Sequence, residues 1–550
     1  MASCMGIGLN FKNKTSEKPS KLPRFSAKDS LLGYNNEFRN CFDVKHYDIH
    51  IKLNTAEKSI AGYVTTRFTL LKNSDKVQLD LDQHLTIDSI ACGTLHLSYS
   101  RRHTSILVNL ISDQKEQCIT VYYHGKPLDA KRPPWEGGFV WKEDKNKKPF
   151  VSVACEGSGV QTWLPVKTWL GDEPDSVTMH LTIPENLVAV SNGNLISVHE
   201  HFQSGEKTYH WQTSYMINPY NITFYAGDYA LIEEPYTCID GERMMLRYYV
   251  HPENYEKARI HFQQTTKILN TYESLFGKYP WPKDGYKLVE SPYAGMEHQT
   301  AIAYGNGYKN EKRENFDYII LHESAHEWWG NAVSVADFSD IWIHEGFATY
   351  AEALYVEKTK GYKAYLNYMN LMYLFVLNRK PVIGPSGLYY WNYNDGDPYG
   401  KGAAILHSLR NQVDNDSLFF SILKTFFKNS CYKTTDTKTF IALVNEMTGK
   451  NLDSFFDQYL YHRSSPCLLW NFDHDFELNK DQLVFQFERV GPGFTAAIEV
   501  EQGGDKFYIY PTNEVQFYTL PHPATVPVVV NSKNSYLEDG YGKIKKVKSR

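Results

Sequence analysis

From Lys45 the chain alternates, with Tyr47, Ile49, Ile51 and Leu53 on one side and Asp48, His50 and Lys52 on the other. A period of two is the mark of a strand with one dry face. Similar runs recur at 62–71, 77–81, 106–110, 119–123, 177–183 and 208–212, broken by turn residues. They predict an all-β N-terminal domain over 30–232, preceded by a polar, patternless leader at 1–29. The period then lengthens. Ala258, Ile260, Phe262, Ile268, Leu269, Tyr272 and Leu275 recur at helical spacing, and the Gly- and Pro-containing cluster at 277–282 stops that helix. A strand at 286–290 precedes helices predicted at 314–330, 343–359, 362–377, 399–413, 417–428, 437–448 and 452–461, an α-rich middle domain over 233–461. Alternation returns at 483–487, 497–501, 507–510 and 526–530, so 462–550 is expected to be a small C-terminal β-sandwich. The expected fold is multidomain α+β.

Composition narrows the classes. With 550 residues the chain exceeds what one hydrophobic core organises, about 250–300 residues. A hydrophobic share of 42% and a charged share of 22% are ordinary for a water-soluble chain, and no apolar run reaches the roughly 18 residues of a membrane span. A net charge of -5 offers no basic field for nucleic acid, and the Lys-rich tail (Lys543, Lys545, Lys546, Lys548, Arg550) is expected to be a solvated terminus. Eight cysteines without a C-x-x-C pair indicate neither a cysteine zinc knuckle nor a disulfide framework. The polar start lacks the basic and apolar regions of a signal peptide, so a cytosolic protein and an exported one with its signal removed both remain open; Cys4 is expected to be a surface thiol.

The chemistry lies in His322-Glu323-Ser324-Ala325-His326. Two histidines four apart on a helix share a face one turn apart, so both rings reach one ion, and zinc suits imidazole nitrogen. Glu345 follows eighteen residues after His326, at the start of another amphipathic helix. Two packed helices bring that carboxylate to the rings, a His₂Glu set with one position left for water. The Gly and His of the metzincin pattern are absent, since Trp329 and Ala332 stand there.

H-E-x-x-H, eighteen residues, then E, with Trp328-Trp329-Gly330-Asn331 and Glu345-Gly346-Phe347 around it, resembles the signature of the gluzincin zinc aminopeptidase family, which includes aminopeptidase N and leukotriene A hydrolase. Ala294-Gly295-Met296-Glu297-His298 resembles that family's G-x-M-E-N exopeptidase motif, with His298 in place of Asn; His344 likewise replaces the Asn before the zinc Glu. The resemblance spans about residues 45–465 and implies a thermolysin-like catalytic domain with one Zn²⁺ per chain. It implies that Glu297 binds the α-ammonium of a peptide with a free N-terminus, and that Ala294, Gly295 and Met296 line the substrate. The second amine-binding acid falls on Glu156, and the P-Y-x-K-G-like segment at 397–402 selects Tyr399 as oxyanion donor. Glu323 is then the general base. Two other readings compete: hydrolysis of a non-peptide, lipid-epoxide-like substrate, and an inert zinc-bearing binding module. The first is disfavoured by Glu156, where the lipid enzyme has Gln; the second by the presence of both Glu323 and Tyr399.

Overall fold

The computed structural model describes residues 27–112, 114–389 and 396–544; the leader expected at 1–29, with Cys4, and the end of the basic tail lie almost wholly outside them. The described chain forms two compact units. One contains the residues up to 338 together with 385–389 and 430–435; the other contains 339–384, 396–429 and 436–544.

In the first unit an eight-stranded sheet runs in the order Asn194–His201, Glu206–Gln212, Ser176–Pro184, Phe42–Asn54, Ser59–Leu70, Glu116–Gly125, Leu85–Cys92, Leu95–His96. The alternation that predicted its central strand is present: Tyr47, Ile49, Ile51 and Leu53 are buried, while Asp48 and His50 are half-buried on the other face. The Phe42–Asn54 strand pairs antiparallel with Ser59–Leu70 and parallel with Ser176–Pro184, setting His50 opposite His180. A four-stranded sheet adds Val188–Ser191, Phe224–Gly227, Pro149–Ala154 and Gly138–Glu143.

A five-stranded mixed sheet follows, in the order Ala230–Thr237, Arg243–Val250, Tyr286–Glu290, Ile302–Tyr304, Gly295–Met296. The domain boundary expected at 232 falls inside its first strand. The helix expected from Ala258 to Leu275 is two, Tyr255–His261 and Gln264–Phe276, with the buried Phe262 at the join against Tyr248 and Tyr304. The H-E-x-x-H helix is Tyr318–His326, shorter than the predicted 314–330. Asp317 sets its start, its carboxylate accepting from the Ile319 and Ile320 amides while Tyr304, His261 and Asn306 donate to the same group.

The second unit carries the helices Trp342–Lys360, Tyr362–Tyr373, Asp397–Val413, Asp416–Ser430 (all but its last residue) and Thr437–Thr448. Its strands form a four-stranded sheet (Gln516–Thr519, Lys480–Glu488, Cys467–Asp475, Glu538–Tyr541) and a three-stranded one (Asp505–Ile509, Ile498–Gln502, Val528–Val530), the β-rich C-terminal part expected. The Trp342–Lys360 and Asp397–Val413 helices cross at two glycines. A Cβ on Gly402 would lie 2.7 Å from the Gly346 Cα, so only hydrogen fits on both sides. Seven described cysteines are free thiols, and no helix among the described residues is long and apolar enough to cross a membrane.

Candidate metal centre

His322, Glu323 and His326 are all buried, at 5%, 7% and 1% exposure. Their helix is buried on nearly every side, so its polar residues are accommodated by partners. The Ser324 hydroxyl lies 2.7 Å from the Tyr286 hydroxyl, and Tyr272 donates to the Leu321 carbonyl at 2.9 Å. His326 Nδ1 donates to the Trp329 carbonyl at 2.8 Å. That bond places the proton on Nδ1 and leaves a lone pair on Nε2. His322 Nε2 stands 3.1 Å away, with the two rings at 82°. Neighbouring donors around a tetrahedral zinc with bonds of about 2.0–2.1 Å are separated by about 3.3 Å. Two imidazole nitrogens at close to that spacing, one with its tautomer fixed from behind, fit such an ion.

Glu323 lies beside this pair, and the carboxylates of Glu297 and Glu323 and the ring of His326 offer ligand atoms within 4.8 Å of one another. Gly295 is why the carboxylate fits. A Cβ there would lie 2.4 Å from Glu323 Oε1 and 2.9 Å from Ile319 Cγ2. Ala294, Gly295 and Met296 run along one end of the five-stranded sheet, where Gly295 pairs with Tyr304 and Met296 with Ala303. The strand therefore has a neighbour on one side and a main-chain edge on the other.

Glu297 directly follows that strand, 4% exposed, with the Tyr220 hydroxyl donating to its Oε1 at 3.1 Å. Asn331 donates to the Glu297 carbonyl, and Asn221 donates to Asn331. Glu156 is buried in the turn after the Pro149–Ala154 strand and offers an oxygen within 4.8 Å of one on Glu297. Sequence reasoning missed Tyr220 and Asn221, which carry no motif, although the buried Tyr-Asn pair closes the 3-10 turn that precedes Phe224–Gly227.

His298, where the family motif has Asn, is fully buried. Tyr225 donates to the Ala301 carbonyl at 2.8 Å, so its oxygen accepts from His298 Nδ1 at 2.7 Å. Burial pushes the His298 imidazole down to about 3, which keeps it neutral. The ring acts as a spacer that anchors the turn after Glu297.

In the second unit Glu345 occupies the first turn of its helix and is 1% exposed, next to the fully buried His344. Trp342 locks that turn by donating from Nε1 to the Thr437 hydroxyl at 2.8 Å, and Thr437 donates to Asp340 at 2.6 Å. Tyr399 lies in the first turn of the Asp397–Val413 helix, where the Asp397 carboxylate accepts from the Leu377 and Asn378 amides.

A helix that presents two buried imidazoles one turn apart, next to a mixed sheet ending in a short edge strand, defines the zincin class of metallopeptidase folds. The chain belongs to peptidase family M1: the model of the peptidase family M1 domain matches residues 260–459 and that of the peptidase M1 N-terminal domain matches residues 43–220. Curated relatives include a puromycin-sensitive aminopeptidase of Caenorhabditis elegans, 22% identical over 77% of this chain and 47% of the relative. The leukotriene A-4 hydrolase of Xenopus laevis is 25% identical over 72% of this chain and 67% of that protein. Among solved structures, an M1 zinc metallopeptidase from Deinococcus radiodurans bound to a Tyr-Ser-Ala substrate superposes with a TM-score of 0.66 at 22% identity, covering 80% of this chain and 98% of that one. The chain spans between 36% and 67% of the length of the first curated relatives it matches.

Proposed function

We propose that the protein is a zinc-dependent aminopeptidase that hydrolyses the first peptide bond of peptides with a free N-terminus, holding one zinc ion per chain on His322, His326 and Glu345. The observation that carries this reading is the pair of Nε2 atoms 3.1 Å apart, with Glu323 pressed against the edge strand beside them. Glu345 is assigned from its spacing in the H-E-x-x-H, eighteen residues, E pattern and from its near-complete burial.

Each group then has a task. An ion on these ligands supplies the Lewis acidity that makes water nucleophilic near neutral pH. Glu323 takes the proton of the attacking water and returns it to the departing amine. Tyr399 donates to the developing oxyanion. The edge formed by Ala294, Gly295 and Met296 receives the peptide backbone as an added strand. Glu156 and Glu297 hold the α-ammonium; a nitrogen bonded to both at about 2.8 Å sets the two oxygens about 4.6 Å apart, and these lie within 4.8 Å. An amine caught at a fixed distance from the water permits cleavage only after the first residue. The division into a β domain over 30–232, a catalytic domain over 233–461 and a C-terminal domain over 462–550 belongs to the same reading.

Release assays on a panel of aminoacyl amides, run beside the same peptides with acetylated N-termini, test it. Free peptides should lose single N-terminal residues and blocked ones should resist. Cleavage of acetylated peptides at comparable rates, or interior cuts, would overturn the assignment; turnover of a lipid epoxide with none of peptides would replace it.

A further inference from the structure

A second group of metal-ligating side chains lies on the half-buried face of the eight-stranded sheet. The parallel pairing of Phe42–Asn54 with Ser176–Pro184 places His50 opposite His180, and Asp48, two residues before His50, points from the same face. The rings of His50 and His180 stack with centroids 4.0 Å apart, and Tyr63 stacks on the far side of His50 at 4.3 Å. His50 Nε2 and His180 Nε2 each lie 3.1 Å from Asp48 Oδ1. That oxygen is screened from solvent, and both ring nitrogens reach it at a distance that suits a hydrogen bond or a shared ion. All three donors lie within 4.8 Å of one another.

The spacing fits an ion. Nearest-neighbour donors of a four-coordinate zinc are about 3.3 Å apart, against 3.1 Å for both nitrogen–oxygen pairs. His180 Nδ1 contacts His210 Nδ1 at 2.5 Å, so with His210 as acceptor the His180 proton sits on Nδ1 and the Nε2 lone pair faces Asp48. A histidine ligand held from behind by a second group is the usual supporting arrangement of such sites. Two imidazoles and one carboxylate, with a position open to water, select borderline divalent ions of the zinc, cobalt and nickel type over calcium or magnesium, which prefer all-oxygen sets.

We infer that Asp48, His50 and His180 form a second binding site for a divalent cation of the zinc class, separate from the catalytic centre, which staples the central strand of the N-terminal sheet to its parallel neighbour. This inference does not rest on the proposed peptidase activity, because its readout is metal content.

The test uses the full chain without a polyhistidine tag, stripped of metal and titrated with Zn²⁺ and Co²⁺ against a weak chelator. Wild type should hold two ions per chain. The His50→Gln/His180→Gln variant should hold one and keep wild-type aminopeptidase turnover, and Asp48→Asn should weaken the second site at least about tenfold. In a His322→Ala/His326→Ala background one ion should remain, and the addition of His50→Gln/His180→Gln should remove it. A zinc anomalous map of wild-type crystals, which needs no variant, should show a peak between His50 Nε2, His180 Nε2 and Asp48 Oδ1. Metal content unchanged in His50→Gln/His180→Gln, no ion left in the His322→Ala/His326→Ala background, or an anomalous map without that peak would each overturn the site.

Discussion

Glu323 carries the most demanding position in the centre. Replacing it by Gln keeps the shape and removes the proton acceptor, so Glu323→Gln should retain about one catalytic zinc per chain while turnover falls by at least about 10². Metal analysis and steady-state rates on the same sample check this, and loss of metal in that variant would make Glu323 a ligand instead. Gly295 should be nearly as sensitive without touching the water. The added methyl of Gly295→Ala would sit 2.4 Å from Glu323 Oε1, and Ile319 closes the other side, so the carboxylate must move. A displacement near 1 Å costs about 10² in rate, so kcat should fall by that order with metal content unchanged; wild-type kcat would show that the strand yields instead. At this scale the sequence was informative wherever spacing carries chemistry: His322, Glu323 and His326 are legible because a helix places residues four apart on one face. Tyr220, Asn221 and Tyr225 were not, because their roles come from folding a β strand's neighbour against the Glu297 turn, and nothing local to them encodes it.

Helix crossings show how an element can be held by what is missing from it. Replacing a glycine inside a helix with alanine ordinarily stabilises by about 0.5–1 kcal/mol. At Gly402 the sign should reverse, because the methyl meets the Gly346 backbone at 2.7 Å, and backbone cannot swing aside as a side chain can. Overpacking of this kind costs about 1–3 kcal/mol, so Gly402→Ala should lower the urea midpoint of the second unit; an unchanged or raised midpoint would show that the two helices have room to separate. Elements with a clear period were read well from the sequence, 437–448 and 286–290 to the residue. Those missed are of two kinds. Strands such as Phe224–Gly227 are buried on both faces and so lack alternation. The break at Phe262 leaves the apolar period of its helices undisturbed, since the ring fills a hole between Tyr248 and Tyr304 that only the folded sheet creates.

For the molecule as a whole, one buried acid should leave a trace in stability against pH. Glu173 is buried, and burial pushes its carboxyl up to about 7, against the lowering effect of hydrogen bonds from Ser334 and Asn218. A folded-state value above the unfolded one of about 4.5 means that the native state holds a proton the unfolded chain has released between those pH values. Its stabilising contribution is complete below about pH 4.5 and is lost as pH rises through about 7, a total on the order of 3 kcal/mol. Glu173→Gln, which copies the protonated form, should flatten the stability profile over that window and raise stability at pH 8. An unaltered slope in denaturant melts from pH 4.5 to 8 would show the carboxylate to be ionised in the fold.

The parallel pairing at the middle of the eight-stranded sheet also has a consequence for the order in which the chain can be built. His50 finds its parallel partner only at His180, so the first strands leave the ribosome long before the one that covers their flank exists. At roughly 5–20 residues per second, the 130 positions separating them correspond to about 7–26 s of waiting. Through that interval the growing chain has the Ser59–Leu70 hairpin arm on one side and an unfilled edge on the other, an interval in which a chaperone that shields strand edges would find its substrate.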